Sequence, residues 1–506
     1  MTQAWYNIVV VGTDLSGLMY GALAARLGYR VAVIGQGALP NAYRKGRFVF
    51  LRQAERFLGF STSPAVSKVF SELSLGIEMK NRPAPLDPAL QLVLPDLRLD
   101  VAGHRRRWEQ ELARELPGSA DAFDRFERWA ADATRASDAA LEADIMYPPT
   151  GLRGKSAYRK VVQDFDDLLD VGGRDVLAEL LGDRTLRALA LGPLTHLSGL
   201  LAQPLSPLSV ARLWTHLRAG MYRVPGGLDG LKQIFIRKIR EQSSDYRPDA
   251  AVDHVTIRRG KVHSVVLSDR GEELGCELVV GNIEPRQFLS LVPRDQRHDS
   301  FHASLAGLQP AGWRFTINLG LNEKVIPEGM AADVVMVADP AERMRGENSL
   351  WFSRPGHGPY AGTDSRPGPG VIQISALLQS RGAAPTIGNA KRLIERTLER
   401  TRQLIPWLDE HLEVVDAPAV ITDPATGRMT LDLQQLAPVM GRALPGTLGS
   451  SPFAAATSYR NILLCGDLLF AGLGFEGMCL AAQQTLTLTR QLVRLKSALR
   501  SDRQLS

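Results

Sequence analysis

Ile8-Val9-Val10-Val11-Gly12-Thr13-Asp14-Leu15-Ser16-Gly17 decides the fold. Four apolar, β-branched residues predict a buried strand, a glycine turn follows, and an apolar helix is predicted from about Leu15 to Leu27. Gly28 is placed to end that helix, and Val31-Ala32-Val33-Ile34 reads as the next strand. This is the layout of a dinucleotide-binding βαβ unit, in which a pyrophosphate lies on the helix N-terminus. Gly12, Thr13, Ser16 and Gly17 supply the turn, but Asp14 stands where the middle glycine of G-x-G-x-x-G belongs. Gly35, followed by Gln36, stands where the acidic ribose ligand is expected.

Each departure has a physical meaning. A side chain at position 14 adds bulk, and its carboxylate brings negative charge to negative phosphate. Alternatively, Asp14 caps the helix and takes the N–H groups that phosphate would have used. Both readings stay open. Gly35 removes an acceptor for the ribose hydroxyls, which Gln36 or a main-chain carbonyl can replace in part. Arg44, Lys45 and Arg47 either supply charge to a pyrophosphate or coat a loop.

The chain of 506 residues is too long for one simple core and predicts two connected domains. Leu90–Leu94 and Leu97–Val101 alternate like a hairpin, and a helical region follows from about Arg105 to Trp214. A helix from Leu231 to Gln242 precedes strands at Val252–Arg258 and Lys261–Ser268. Phe301–Leu321 and Val371–Leu378 read as strands of a second sheet, Pro355–Pro369 as a loop, and Ala390–Leu404 as a helix.

With 44% hydrophobic and 23% charged residues, the composition is that of a soluble globular protein. The net charge of +6 is spread along the chain; its densest stretches are His104-Arg105-Arg106-Arg107 and Arg490–Arg503. Solvated helix surface explains both, with attraction to an anionic membrane surface or an acidic partner as the alternative. No nucleic-acid motif accompanies the charge, so nucleic acid is not expected as a partner. Cys276, Cys465 and Cys479 lack metal-ligand spacing, which predicts neither a metal site nor a disulfide framework. With the first strand so near Met1 and no long apolar run, a cytoplasmic protein is expected.

Far downstream, Cys465-Gly466-Asp467 leads through Gly474-Phe475-Glu476-Gly477-Met478 into a final helix. Between the two ends lie Pro225-Gly226-Gly227, Val252-Asp253-His254-Val255 and Val279-Val280-Gly281-Asn282-Ile283-Glu284-Pro285. This order of motifs resembles the phytoene-desaturase-like branch of the amine-oxidase-type flavoproteins. The resemblance implies an α/β fold in which a Rossmann-like, doubly wound FAD domain is interleaved with an α+β substrate domain. The FAD domain would comprise residues 1–82, 218–298 and 455–506. The substrate domain would comprise 83–217, with its helical insertion, and 299–454.

By the same resemblance FAD is the implied cofactor. Val252 would lie near the adenine and Asp467 in the ribityl–pyrophosphate region, with Asn282 and Gly466 also among the cofactor-binding residues. Gly474, Phe475, Glu476, Gly477 and Met478 would start the helix that faces the flavin ring. The implied activity is an FAD-dependent oxidoreductase, desaturase- or isomerase-like, acting on a lipophilic molecule such as a polyene. The alternative is a flavoprotein fold that has lost FAD and serves as a binding or scaffold subunit. No residue is singled out as catalytic. Glu476 is either an acid–base group or a helix-start carboxylate; His196 and His216, in apolar helices, read as core. Trp313, Trp351 and Phe352 read as core or as the lining of a substrate cavity.

Overall fold

The computed structural model describes residues 4–143, 145–163, 174–201, 204–269, 271–306, 310–355, 370–379, 384–441 and 453–494. The opening strand β1 (Ala4–Val11) is the spine of a seven-stranded sheet. It pairs in parallel with β2 (Val31–Ile34) on one side and with Glu273–Gly281 on the other. Asp245–Arg247 extends the sheet beyond β2, and Ile462–Leu464 pairs in parallel with the end of Glu273–Gly281. Val252–Arg258 and Lys261–Leu267 add an antiparallel wing. Val11, Ile34, Gly281 and Leu464 therefore finish in register at one edge, where open α/β sheets bind their ligands.

Helix α1 (Leu15–Arg26) follows the glycine turn, and every residue from Leu15 to Ala25 is buried. It lies between the sheet, the Gly227–Arg240 helix and the closing Gly474–Leu492 helix. A helix apolar all round is one covered all round. Tyr20 Oη is 2.7 Å from Thr489 Oγ1, and Tyr29 Oη donates to Val493 O at 3.0 Å, so the two ends of the chain share one core.

The second sheet has eight strands in the order Leu412–Asp416, Pro310–Leu321, Val371–Leu378, Gly346–Ser353, Asp333–Val337, Leu90–Leu94 and Leu97–Val101, with Ala437–Met440 also on Pro310–Leu321. The hairpin and the strand Val371–Leu378 lie as the sequence predicts. The helical region resolves into Arg105–Glu115, Ala120–Glu142, Gly151–Val162, Val176–Leu181, Arg184–Leu197 and Pro207–Ala219.

Two local expectations are corrected. Phe301–Leu321 is not one strand-like run: Asp299–Ala306 is a helix, and the strand starts at Pro310. Phe301 and Leu305 are buried four residues apart, a helical spacing that a short apolar run does not advertise. Arg44–Phe50 is no loop but a hairpin, Ala42–Lys45 paired with Phe48–Leu51 and turning at Gly46. Its Phe48 and Phe50 pack with Val371 of the second sheet.

Arg105, Arg106 and Arg107 are exposed while Trp108 is buried, the pattern of a solvated helix face. Residues 356–369 of the Gly/Pro-rich loop, and the tail from 495 on, lie outside the described residues. Among the described residues no helix is long and apolar enough to cross a membrane, and no group of His, Cys, Asp or Glu is arranged to hold a metal.

Candidate functional site

At the shared strand edge, the glycine turn keeps its shape. Gly12 has φ +114°, and a Cβ there would lie 2.2 Å from Asn282 O. Asn282 binds three segments together: its Oδ1 accepts from Asp14 N at 2.8 Å, and its Nδ2 donates to Ser16 Oγ at 3.0 Å and Cys465 O at 2.7 Å. Thr13, Ser16 and Gly17 are buried around this amide. Asp14 occupies the N-cap of α1, yet its exposed carboxylate accepts no hydrogen bond from the first turn. The reading in which Asp14 closes the anion site by capping is thereby overturned. The carboxylate turns to solvent, and the helix N-terminus keeps its free N–H groups.

The adenosine side is different. Gly35 N donates to Arg247 O and Gln36 N to Ala250 O, both at 2.9 Å, drawing the chain after Arg247 tightly against the end of β2. A Cβ at position 35 would lie 1.8 Å from Pro248 O. The missing acid is therefore more than a lost acceptor, because main chain occupies the space of its side chain. Gln36, at φ 53°, turns its carboxamide onto Val252: Oε1 accepts from Val252 N at 2.7 Å, and Nε2 donates to Val252 O at 3.1 Å. The Val252 main-chain donor and acceptor are thus satisfied within the chain.

On the closing side, a Cβ at Gly466 would meet nothing within 4 Å. Asp467 is surrounded by protein yet reached by solvent; desolvation, and then the nearby Asp14 charge, push its carboxyl up to about 6. Gly474 opens the final helix at φ 55°, and Met478 is half-buried. Phe475 packs on Phe57 and Phe60, and a Cβ at Gly477 would lie 2.3 Å from Phe470 O, so both serve packing.

Glu476 is fully enclosed. Its Oε1 accepts from Ser63 Oγ at 2.6 Å and Arg212 Nη2 at 2.6 Å, and its Oε2 from Arg212 Nε at 2.7 Å. His216 Nε2 lies 3.3 Å from Oε2, and Arg212 also reaches Asp138 at 2.8 Å. Burial alone would raise the Glu476 carboxyl, but Arg212 and then His216 more than reverse this and hold it well below the usual carboxylate range. Glu476 is thus an ionised pin joining the final helix to Pro207–Ala219, not a proton carrier.

His196 and His216 are both buried, as core histidines should be. Burial, then Arg56 and Arg314, keep His196 neutral; its Nε2 lies 3.0 Å from Ser349 Oγ. Trp351 and Phe352 are buried and Trp313 half-buried.

FAD is tested by these contacts. The open helix N-terminus and the space at Gly466 suit a phosphate. Against that, the Asp14 charge acts on Asp467 here, offset only in part by Arg314, and Pro248 O and Gln36 fill the space beside Gly35 and Val252. The basic hairpin offers no compensation: Lys45 pairs with Asp416 at 2.6 Å, Arg47 pairs with Glu413, and Arg44 is exposed. The residues present do not fit FAD held across this edge.

Sequence reasoning missed one cluster. Arg56, which follows the hairpin, and Arg314, on Pro310–Leu321, both donate to His196 O, and Arg314 Nη2 also donates to Ser198 O at 2.6 Å. Arg56 stacks over Trp351 at 4.6 Å, whose Nε1 donates to Asp333 at 2.8 Å. Isolated arginines in ordinary segments carry no motif, so no signal could have joined them.

No protein-family model and no curated protein matches the sequence. Solved structures do match. An oxidoreductase from Methanosarcina mazei is 15% identical at TM-score 0.59, over 95% of this chain and 99% of that one. A putrescine oxidase from a structure-based redesign of cofactor binding is 13% identical at TM-score 0.56, over 97% and 99%. Cyclohexylamine oxidase from Brevibacterium oxydans IH-35A is 12% identical at TM-score 0.54, over 96% and 99%. The chain therefore shares the α/β fold of these oxidoreductases and amine oxidases. At these identities the likeness extends to the fold.

Proposed function

We propose that this chain is a small-molecule-binding protein on the amine-oxidase fold that does not hold FAD in the family's manner. The observation that carries this reading is the Gln36–Val252 pair beside the Pro248 carbonyl, which together occupy the adenosine side. A displaced ligand can be regained by moving a side chain, but main chain in the subsite cannot be moved so simply. An apolar ligand such as a polyene suits the family resemblance. The basic tail meeting a membrane surface belongs to the same proposal.

The uncapped N-terminus of α1 favours a second reading, an FAD-dependent oxidoreductase of desaturase or isomerase type. One experiment separates them: the visible spectrum of the purified protein, followed by titration with FAD. No flavin bands near ~375 and ~450 nm, the approximate positions set by oxidised flavin's own chemistry, and no uptake are expected. Stoichiometric bound flavin would establish the second reading instead.

A further inference from the structure

Arg56 and Arg314 come from different segments and meet at one carbonyl, His196 O. Protein surrounds both, yet both keep partial access to solvent. Two other deeply buried arginines have a carboxylate, Arg212 with Glu476 and Asp138 and Arg223 with Asp333, and Arg354, which donates to Met330 O, stands alone rather than beside a second guanidinium. Neither Arg56 nor Arg314 forms an ion pair with any described residue, and Nε and Nη2 of Arg56 are sealed without an acceptor. The carboxylates that act on them do so without an ion pair. Asp333 accepts from Arg223, Trp351 and Ser353, and Asp467 acts on Arg314 only through space.

Two adjacent guanidiniums in a poorly solvated place repel each other and lack the counter-charge that such burial demands. Main-chain carbonyls orient them without neutralising them. A cost of this kind persists where the missing charge is brought by a ligand. Arginine's planar fork matches a carboxylate, and the Trp351 face holds the Arg56 plane in position.

We propose that Arg56 and Arg314, where they meet at His196 O, bind a ligand through a carboxylate seated on the two guanidiniums. The assignment adds a recognition chemistry to the small-molecule reading, and it holds whether or not flavin is also bound.

The test uses the full chain and matched probes: octanoate against octanol, benzoate against benzamide, and retinoate against retinol, each followed by thermal shift and titration. Arg56→Met and Arg314→Lys are compared with the native protein. At least one carboxylate should raise the native Tm while its neutral partner does not. Its Kd should weaken about thirtyfold or more in Arg56→Met. Without ligand, Arg56→Met should melt higher than native, because a buried cation lacking a partner is removed; an arginine kept only for packing would give the opposite sign.

The proposal is overturned if no carboxylate shifts the native Tm, if the shift survives in Arg56→Met, or if that variant melts lower without ligand. Should Arg56→Met fail to fold, Arg314→Lys decides. It keeps the charge but loses the fork, so a weakened carboxylate shift supports the site and an unchanged one overturns it.

Discussion

Two buried arginine sites in this molecule are built to opposite plans. At Arg212 the guanidinium lies against Glu476 and Asp138, with Thr134 O and Ser137 Oγ accepting the remaining protons. At Arg56 and Arg314 two guanidiniums share one carbonyl and form no ion pair with a described residue. The first site is complete within the chain and joins the final helix to the helical insertion. The second, on the proposal above, is completed by a ligand's carboxylate. Burial of a charge is thus not a role in itself; what surrounds it has to be read.

The largest effect should come from breaking the complete site. Glu476→Gln leaves Arg212 with Asp138 alone, and a loss of about 3–5 kcal/mol is expected in denaturant unfolding; a loss below about 1 kcal/mol would erase the contrast. Because the Glu476 carboxyl is held below its ordinary value, its stabilisation is full above about pH 4.5, its unfolded range, and fades as pH falls. The native protein should therefore lose stability on acidification faster than Glu476→Gln, a difference read from paired melts between pH 7 and pH 3.

A smaller effect is expected where the adenosine side is closed. Gln36→Ala leaves Val252 N and O without their partner and should cost about 1 kcal/mol, measured the same way. FAD uptake should not return in this variant, nor in Gly35→Glu, since the Pro248 carbonyl remains. Flavin binding restored by either change would reverse the reading of that edge.

The smallest effect belongs to Asp467. Its carboxyl is raised to about 6 from an ordinary 3.8, so the folded state holds this proton more tightly than the unfolded state does. Its charged form therefore opposes folding, by an amount that grows as pH rises from about 4 through 6. Asp467→Asn should raise Tm by about 1–2 °C at pH 7.5 and by almost nothing at pH 4. An equal rise at both would show that charge is not the cause.

The strand–turn–helix at Ile8–Gly17 and the motif at Cys465–Met478 were enough to read the fold, because apolar periodicity and glycine spacing are local properties. Leu90–Val101 and Val371–Leu378 were legible for the same reason. The site was legible only as a list of departures. Gly35 is visible in the sequence, but the Pro248 carbonyl filling its place lies more than 200 residues downstream and has no side-chain signature. Glu476 stood out as a candidate, yet its fixed charge depends on Arg212 in another helix. Asp14 looked able to cap α1, and the direction of its side chain, which decides the matter, is not a sequence property. Arg56 and Arg314 were not legible at all.

The burial of α1 on every side bears on how the protein is made. Residues Leu15–Ala25 leave the ribosome early, but one of the surfaces that cover them belongs to Gly474–Leu492, among the last to be synthesised. At about 5–20 residues per second, that apolar surface waits on the order of a minute for its cover. Biosynthesis of this chain thus includes an interval in which its most hydrophobic helix needs a temporary shield, and shortening the chain from its far end would make that interval permanent.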